Sequence, residues 1–559
     1  MRLADYNQPS ELSNLNFSEL KSFSQELRRY IIDTVLEVGG HFAANLGVIE
    51  LTVCLIKHFD PNHHPVVWDV GHQSYPYKIL TYRKAQLPSI RQIDGLSGFP
   101  KIEESPLDYF GTGHSSTSIS AMMGLATANL LKGNTSTHIA VIGDGALSGG
   151  MSLEALNNLS DTKINALIIF NDNGMGIDPN GGAIHKQSET GIAQFFDFFG
   201  LDYQGPIDGH DIEKLESALI EQKGKTGVRL LHIKTVKGKG YKPAEEEQIK
   251  WHSAPKFVKI QTQKNSKSWH HEFGDIILKK AEEDEDILGI TPAMPTSSGM
   301  IRAMEKFPDR FIDVNIAEQH ALTFAAGIAA SGKKPIVGIY STFLQRAYDQ
   351  LIHDIALQNL GVTLCIDRAG LVGEDGPTHH GVFDIPMILS VPNFTLYAPC
   401  TISELNFAID RSLENNTPSA IRYPKGAVPT LQLVPDEYQW LNTHPGANVL
   451  LITTGKATEL AVNGYPDNSN VFDHLHVLKI KPWPEIKLTK QYTHVITVED
   501  GQIQGGFGQY ACAQLKTNSA TQHLGIKDQF VAHGKNSELY ELCGFSSQAI
   551  RKLLRELIT

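Results

Sequence analysis

Cysteine is scarce in this chain, and long apolar runs are missing from it. The five cysteines are scattered and form no Cys-x-x-Cys pair, which gives no disulfide framework and favours a reducing compartment with buried thiols. No apolar run approaches the length needed to cross a bilayer, and the polar N-terminal stretch lacks the apolar core of a signal peptide. We therefore expect a cytoplasmic protein that makes no membrane contact.

The chain also lacks a positive net charge and any low-complexity tract. Its formal charge of −12 argues against nucleic acid or an anionic membrane as a partner, although a local basic pocket could still hold phosphates. Hydrophobic residues make up 41% and charged residues 20%, which are globular values. At 559 residues the chain is too long for one core, so it should form several domains.

Apolar strand-like runs alternate with helical patterns along three stretches of the chain. This alternation predicts an α/β fold with three parallel-sheet domains, which we place at residues 1–260, 261–435 and 436–559. The polar segment 256–273 is interpreted as a linker, and the proline-punctuated segment 428–446 as a connector.

The most informative stretch contains a Gly-Asp-Gly turn and an Asn-Asp-Asn turn, each directly after an apolar run. The first run ends at Gly143, and the second delivers residues 171–173 to the same edge of the predicted sheet. Because ligands bind beyond the carboxyl ends of parallel strands, Asp144 and Asn173 should converge there. A carboxylate and an amide oxygen suit Mg²⁺ whose other ligands are diphosphate oxygens and water. The pattern predicts a magnesium–diphosphate site.

Either turn alone is ordinary, but the two in this order are much more specific. The pattern resembles the thiamin-diphosphate signature of the transketolase-like enzymes. The resemblance implies that Asp144 and Asn173 are side-chain ligands of Mg²⁺ and that Met175 is a backbone-carbonyl ligand. It also implies that the cofactor is bound by the turn residues Gly143, Gly145 and Ala146.

Histidine and serine recur on loops in the first predicted domain, where functional groups are commonly placed. Taken singly, a histidine in such a place is more often structural than catalytic, and the recurrence is what favours function. The loop residues concerned are His41, His72, Arg91, His114, Ser115 and Ser116.

Neighbouring motifs make the resemblance closer. In chain order they include HFAANLGVIELTV, WDVGHQSYPYKILT, GHSSTSIS, GPIDGHD, NIAEQHALTFAAG, IYSTFLQRAYDQLIHD, IDRAGLVGEDGPTHHGVFD and IRYPKG. Together they are similar to the 1-deoxy-D-xylulose-5-phosphate synthase family. The likeness implies a cytoplasmic homodimer that joins pyruvate to D-glyceraldehyde 3-phosphate with loss of CO₂, using thiamin diphosphate and Mg²⁺. Its product would feed isoprenoid and thiamin biosynthesis.

The same resemblance assigns roles to residues at the pyrimidine end of the cofactor. Glu318 would promote the reactive tautomer of the aminopyrimidine, although the residue alone could equally be an exposed glutamate at a helix start. Phe343 would stack on the pyrimidine, the alternative being a core aromatic, and Arg346 would help to bind the cofactor.

Further assignments concern the substrates. By resemblance, the aldehyde's phosphate is bound by Tyr340, Arg368 and Arg422, with Arg91 from the first domain. Asp375 and His379 would orient substrate and relay protons. The cofactor and substrate side would be lined by His41, His72, His114, Ser115 and His252, with His41 and His252 among the catalytic groups.

The sequence departs from the family between the Asn-Asp-Asn turn and GPIDGHD, where family members carry a considerably longer segment. A short glycine-rich loop and FFDFFG fill that gap here. Because mobile segments commonly control substrate access, the sequence does not predict how access is gated in this chain. Two other functions remain: a transketolase or carboligase with another acceptor, and an inactive cofactor-binding homologue. Product analysis would separate the first, and the intact Asp144, Asn173 and Glu318 argue against the second.

Overall fold

The computed structural model describes residues 1–254, 267–466 and 471–558. The chain divides into two compact units, residues 1–264 with Asn315–Ala317, and residues 265–314 with 318–559. The boundary predicted at residues 260 and 261 lies outside the described residues. Within the described part, no helix is both long and apolar enough to cross a membrane. The five cysteines are free thiols, four of them buried.

The first unit is built on a five-stranded parallel sheet. The strands of the whole unit are β1 (Gly40–His41), β2 (Val66–Trp68), β3 (His138–Gly143), β4 (Ala166–Asp172), β5 (Asp202–Asp208), β6 (Val228–Lys234) and β7 (Ser253–Ala254). The sheet has the order β2-β3-β4-β6-β5, and β1 pairs separately with β7 in antiparallel register.

Both faces of this sheet are buried, which explains why its central strands are continuous apolar runs. Alternate residues of β3 and β4 belong to two different core clusters, Val141 and Ile169 to one and Ile142 and Ile168 to the other. The covering helices are α1 (Phe17–Val38), α2 (Ala43–Gly47), α3 (Ile49–His58), α4 (Tyr75–Lys78), α5 (Ser118–Leu131), α6 (Asp144–Leu147), α7 (Gly150–Leu159), α8 (Glu189–Phe198), α9 (Ile212–Lys223) and α10 (Lys242–Glu246).

The second unit contains two sheets, one of seven strands and one of five. Their strands are β8 (Ile287–Thr291), β9 (Phe311–Asp313), β10 (Lys334–Tyr340), β11 (Thr363–Ala369), β12 (Thr395–Tyr397), β13 (Ser419–Pro424), β14 (Tyr438–Asn442), β15 (Val449–Thr453), β16 (Phe472–Val477), β17 (Lys479–Lys481), β18 (His494–Gln502) and β19 (Ala520–Ile526). One sheet has the order β17-β12-β13-β11-β10-β8-β9 and the other β14-β16-β15-β18-β19. Each sheet is parallel except for one antiparallel edge strand, which is β17 in the first sheet and β14 in the second.

Helices again fill the connections between parallel strands. They are α11 (Trp269–Glu283), α12 (Ile301–Lys306), α13 (Glu318–Ala330), α14 (Ser341–Leu344), α15 (Tyr348–Gln350), α16 (Asp384–Leu389), α17 (Ile402–Asn415), α18 (Lys456–Asn463), α19 (Phe507–Leu515), α20 (Asn536–Leu542) and α21 (Ser547–Ile558). Helix α17 begins with a capping box in which Thr401 and Glu404 satisfy each other's backbone amides. The predicted α/β class with three parallel sheets is confirmed.

Two finer predictions are wrong. The segment 428–446 is not only a connector, because residues Tyr438–Asn442 form β14 and pair with β16, a partner that local sequence does not reveal. The segment 256–273 is not a linker throughout, because α11 begins at Trp269 and buries Trp269 and Phe273, which are spaced i, i+4. The rest of that segment lies largely outside the described residues.

Candidate active site

Asp144 and Asn173 follow neighbouring strand ends in the first unit. Strands β3 and β4 run in register to the pair Gly143 and Asn171, so the two predicted metal ligands emerge at one edge of the sheet. Asp144 Oδ2 accepts a hydrogen bond of 2.7 Å from the amide of Gly174, and Asn173 Oδ1 accepts one of 3.0 Å from the amide of Met175. The bond to Gly174 therefore ties the carboxylate of Asp144 to the turn that carries Asn173 and Met175.

The charge at this edge favours a cation. Asp144 is only 1% exposed, and burial, followed by the nearby charge of Asp172, raises the pKa of its carboxyl to about 6. Asp172 accepts a hydrogen bond of 3.1 Å from His232, which holds the pKa of Asp172 below its usual value. A divalent ion at Asp144 would compensate the buried charge, and the oxygen donors present suit Mg²⁺.

No group of three or more His, Cys, Asp or Glu side chains is arranged to hold a metal in the described ranges. The predicted magnesium set contains only one such residue, Asp144, and otherwise uses an amide and a backbone carbonyl. Its remaining ligands would come from the diphosphate and water, as is usual for Mg²⁺.

Lys237 supports the turn after Asn173, and sequence reasoning missed it. Its ammonium donates a hydrogen bond of 2.6 Å to the carbonyl of Gly176, next to Met175. The side chain is almost fully buried, and burial lowers its pKa to about 8. The only signal in the sequence is that Lys237 precedes a glycine in the loop after β6, which is also typical of an ordinary loop.

Asp69, which sequence reasoning missed, and Ser116 organise the loop that carries His114 and Ser115. Asp69 accepts hydrogen bonds from the amides of Ser116 at 2.7 Å and Ser118 at 3.0 Å. The hydroxyl of Ser116 donates a hydrogen bond of 2.7 Å to the carbonyl of Ala146. Ser116 thus ties this loop directly to the Gly143–Ala146 turn, as the shared cofactor assignment requires.

Three of the predicted histidines meet in the first unit. The ring centroids of His41 and His72 are 6.0 Å apart, those of His41 and His252 6.1 Å, and those of His72 and His252 5.4 Å. Residues far apart in sequence, on β1, after β2 and before β7, therefore form one imidazole cluster, which we call the histidine cluster.

Arg91 lies beside that cluster. A Cβ added to Gly98 would meet Arg91 Cγ at 3.1 Å and His41 Cε1 at 3.4 Å, so only glycine lets these two side chains flank the loop without displacement. Arg91 has a positive φ of 61° and donates a hydrogen bond of 3.3 Å to the hydroxyl of Ser253. Its guanidinium is held next to β7.

In the second unit, four predicted residues form an aromatic and cationic cluster. The rings of Tyr340 and Phe343 are stacked at 5.6 Å, and Phe343 meets His379 edge-on, also at 5.6 Å. The guanidinium of Arg368 lies 3.8 Å from the centroid of the Tyr340 ring. Arg368 also pairs with Asp367 and donates to the carbonyl of Ser297. The half-buried Asp375 lies just before the 3₁₀ turn Gly376–Thr378 that precedes His379.

Glu318 is the first residue of α13 and is 5% exposed. It is therefore not the exposed helix-start glutamate of the alternative interpretation. Arg346 Nη1 lies 3.4 Å from Glu318 Oε2, so the structure brings these two predicted cofactor residues together.

Arg422 is placed differently from the other predicted phosphate ligands. It is 2% exposed and donates from Nε to Asp384 at 3.0 Å and from Nη1 to Asp500 at 2.7 Å. These ion pairs join β13 to α16 and β18, so much of its charge is already compensated within the fold.

Three family models match consecutive parts of the chain. A model described as 1-deoxy-D-xylulose-5-phosphate synthase matches residues 3–193 and 185–235. The transketolase pyrimidine-binding domain matches residues 265–430, and the transketolase C-terminal domain matches residues 439–550.

Relatives named 1-deoxy-D-xylulose-5-phosphate synthase match along the whole chain. The protein from Aquifex aeolicus is 42% identical, over 100% of this chain and 98% of its own length. Those from Cytophaga hutchinsonii and Paraburkholderia xenovorans are 41% and 39% identical, over 99% of this chain and 98% and 96% of their own lengths. A solved transketolase from Campylobacter jejuni is 19% identical, covers 97% of this chain and 100% of its own length, and has a TM-score of 0.47.

The alignment to the Aquifex protein spans 616 positions, 57 more than the 559 residues of this chain. The two matched stretches of the first family model meet at residues 185–193, in the segment expected to be short. Identity of about 40% over the full length, together with the three domain matches, decides the family. This chain belongs to the 1-deoxy-D-xylulose-5-phosphate synthase family of transketolase-like, thiamin-diphosphate-dependent enzymes.

Proposed function

We propose that this chain joins pyruvate to D-glyceraldehyde 3-phosphate, with loss of CO₂, to give 1-deoxy-D-xylulose 5-phosphate. The observation that carries the proposal is that Asp144 and Asn173 lie just beyond the ends of two neighbouring strands. The chain that contains them is similar over its full length to synthases of this name. The product is a precursor for isoprenoid and thiamin biosynthesis, and we propose that role here.

Mg²⁺ and the diphosphate of the cofactor would bind at the edge of the first sheet. Asp144 and Asn173 would supply side-chain oxygens to the metal, and Met175 its carbonyl. The hydrogen bonds from the amides of Gly174 and Met175 support this role, because they fix the orientation of the two side chains. Gly143, Gly145 and Ala146 would contact the diphosphate, with His114 and Ser115 on the loop that Ser116 ties to Ala146.

Thiamin diphosphate supplies, when bound, a nucleophilic carbon that can store the electron pair released by decarboxylation. Glu318 would hold a proton at the aminopyrimidine ring nitrogen, for which a buried carboxylate at a helix start is well placed. Arg346 would orient Glu318, and Phe343 would stack on the pyrimidine ring.

The histidine cluster would move protons at the substrate oxygens. His41 and His252 are the candidates for transfer to and from the aldehyde oxygen, with His72 adjacent to both. In the second unit, His379 and Asp375 would orient substrate, since His379 packs against the Phe343 ring.

Arg368 and Tyr340 would bind the phosphate of the aldehyde, because the guanidinium is held in place on the tyrosine ring. Arg91 would contribute a second cation. Arg422 remains in the proposed set, but its pairs with Asp384 and Asp500 favour a supporting role over direct contact.

The domain division at residues 1–260, 261–435 and 436–559 remains a proposal, as do the homodimer and the cytoplasmic location. The first domain would bind the diphosphate and the metal, and the second would bind the pyrimidine ring. The third would be the C-terminal transketolase-like domain.

The function is tested by identifying the product from pyruvate and D-glyceraldehyde 3-phosphate in the presence of thiamin diphosphate and Mg²⁺. We expect 1-deoxyxylulose 5-phosphate. Efficient transfer from ketose-phosphate donors instead would identify a transketolase, and absence of turnover with any donor would identify a cofactor-binding homologue.

A further inference from the structure

The segment after Asn173, which the sequence predicts to be shorter than in the family, begins with a turn. Residues Met175 and Pro179 form an isolated antiparallel bridge, a 3₁₀ turn follows at Ile184–Lys186, and α8 begins at Glu189. The two stretches of the family match overlap at residues 185–193, directly after the start of this turn.

His185 of this turn faces the carboxylate of Asp144. Its Nδ1 lies 3.9 Å from Asp144 Oδ2, and its side chain is 10% exposed. Its Nε2 is buried and has no hydrogen-bond partner within the described ranges. A buried imidazole nitrogen without a partner is costly, since water is lost and nothing replaces it.

The distance of 3.9 Å is too long for a hydrogen bond, so Asp144 does not satisfy this imidazole. The neighbouring Lys186 is exposed. A group with acceptor oxygens next to Asp144 would give Nε2–H a partner, and phosphate oxygens are strong acceptors. The proposed function places a diphosphate at this carboxylate.

We infer that His185 is a further binding residue for the magnesium–diphosphate group, donating a hydrogen bond from its imidazole to an oxygen of the terminal phosphate. This inference rests on the proposed function, and it assigns to the shortened segment part of the diphosphate site. In this role His185 would not ligate the metal.

Binding rather than turnover tests the inference. The dissociation constants of thiamin diphosphate and of inorganic pyrophosphate, each with Mg²⁺, are measured by calorimetry on the full chain. The proteins compared are wild type, His185→Ala, His185→Asn and the control Lys186→Ala. Thiamin monophosphate, which lacks the terminal phosphate, is the reference ligand.

We expect His185→Ala to weaken binding of thiamin diphosphate and pyrophosphate by about tenfold to a hundredfold, the usual effect of losing a hydrogen bond to a charged group. His185→Asn, which keeps an N–H donor, should lose less. Lys186→Ala should bind as wild type does, and thiamin monophosphate should be unaffected by any variant. Thermal unfolding of each variant verifies that it is folded.

Equal binding of the diphosphate ligands to wild type and His185→Ala would overturn the inference while leaving the proposed function intact. Tighter binding to His185→Ala would also overturn it, since His185 would then compete with the cation for Asp144. A wild-type chain that binds no thiamin diphosphate would contradict the proposed function itself.

Discussion

The carboxylate of Asp144, after strand β3, accepts a hydrogen bond of 2.7 Å from the amide of Gly174, just beyond strand β4. The two strand ends that carry the proposed metal ligands are thus joined directly. The backbone amide therefore fixes the orientation of the Asp144 carboxylate. Asn173 is oriented in the same turn by its bond to Met175.

Replacement of Glu318 tests its role at the cofactor. Glu318→Gln keeps the shape of the side chain but removes the carboxylate, so we expect turnover to fall by at least about a hundredfold, the usual range for a lost proton-transfer group. Cofactor affinity and thermal stability should change little. The exposed Glu305→Gln is the matched control. Steady-state kinetics near wild type in Glu318→Gln would refute the assignment.

Arg368 should determine the affinity for the phosphorylated aldehyde. Arg368→Ala removes the cation that rests on Tyr340, and we expect the KM for D-glyceraldehyde 3-phosphate to rise about tenfold to a hundredfold, with a smaller change for pyruvate. Arg368→Lys keeps a charge beside the buried Asp367, so its KM for D-glyceraldehyde 3-phosphate should lie between those of the wild type and Arg368→Ala. The exposed Arg411→Ala serves as control. An equal rise in both KM values would count against phosphate recognition.

Arg422 should contribute more to stability than to substrate binding. Arg422→Met leaves Asp384 and Asp500 buried without their cation, which typically costs about 3–5 kcal/mol. We expect a clearly lower midpoint of thermal unfolding. Arg302→Met, at an exposed ion pair with Asp275, should have almost no effect. Unchanged melting of Arg422→Met, together with a raised KM for the aldehyde phosphate, would instead establish direct phosphate binding.

Glu499 should make stability depend on pH. Its carboxylate accepts hydrogen bonds from the amides of Phe507 and Gly508, yet burial raises its pKa to about 8. The folded chain therefore holds this proton more tightly than the unfolded chain, so its contribution to stability is present below about pH 4.5 and is lost as the pH rises towards 8.

We expect the midpoint of thermal unfolding of the wild type to fall more between pH 5 and pH 8 than that of Glu499→Gln, because each tenfold difference in proton affinity is worth about 1.4 kcal/mol. Glu485→Gln, at an exposed position, should follow the wild type. Parallel curves for the wild type and Glu499→Gln would show that Glu499 does not titrate in this range.

The strand-end site was predictable because its signal is local. Apolar runs before Gly143 and Asn171 predict strands, parallel strands share an edge, and Asp144 and Asn173 follow directly. The proposed roles of Glu318, Phe343, Tyr340 and Arg368 depended on motif resemblance, since nothing in the local sequence of these residues indicates a cofactor or a phosphate.

The groups that sequence reasoning missed act through distant contacts. Asp69 binds amides 47 and 49 residues away, and Lys237 binds a carbonyl 61 residues away. The carboxylates that surround Arg422 lie 38 and 78 positions from it, so a sequence motif shows the arginine and hides its partners. Strand β14 was missed for the same reason, because its pairing with β16 overrides a proline-rich local sequence.

The account is tested most directly by measuring CO₂ and product together, with pyruvate labelled at its carboxyl carbon. With thiamin diphosphate, Mg²⁺ and D-glyceraldehyde 3-phosphate present, we predict that one CO₂ is released for each 1-deoxyxylulose 5-phosphate formed, and that both cease when the cofactor is omitted. CO₂ release without this product, or product formation without thiamin diphosphate, would contradict it.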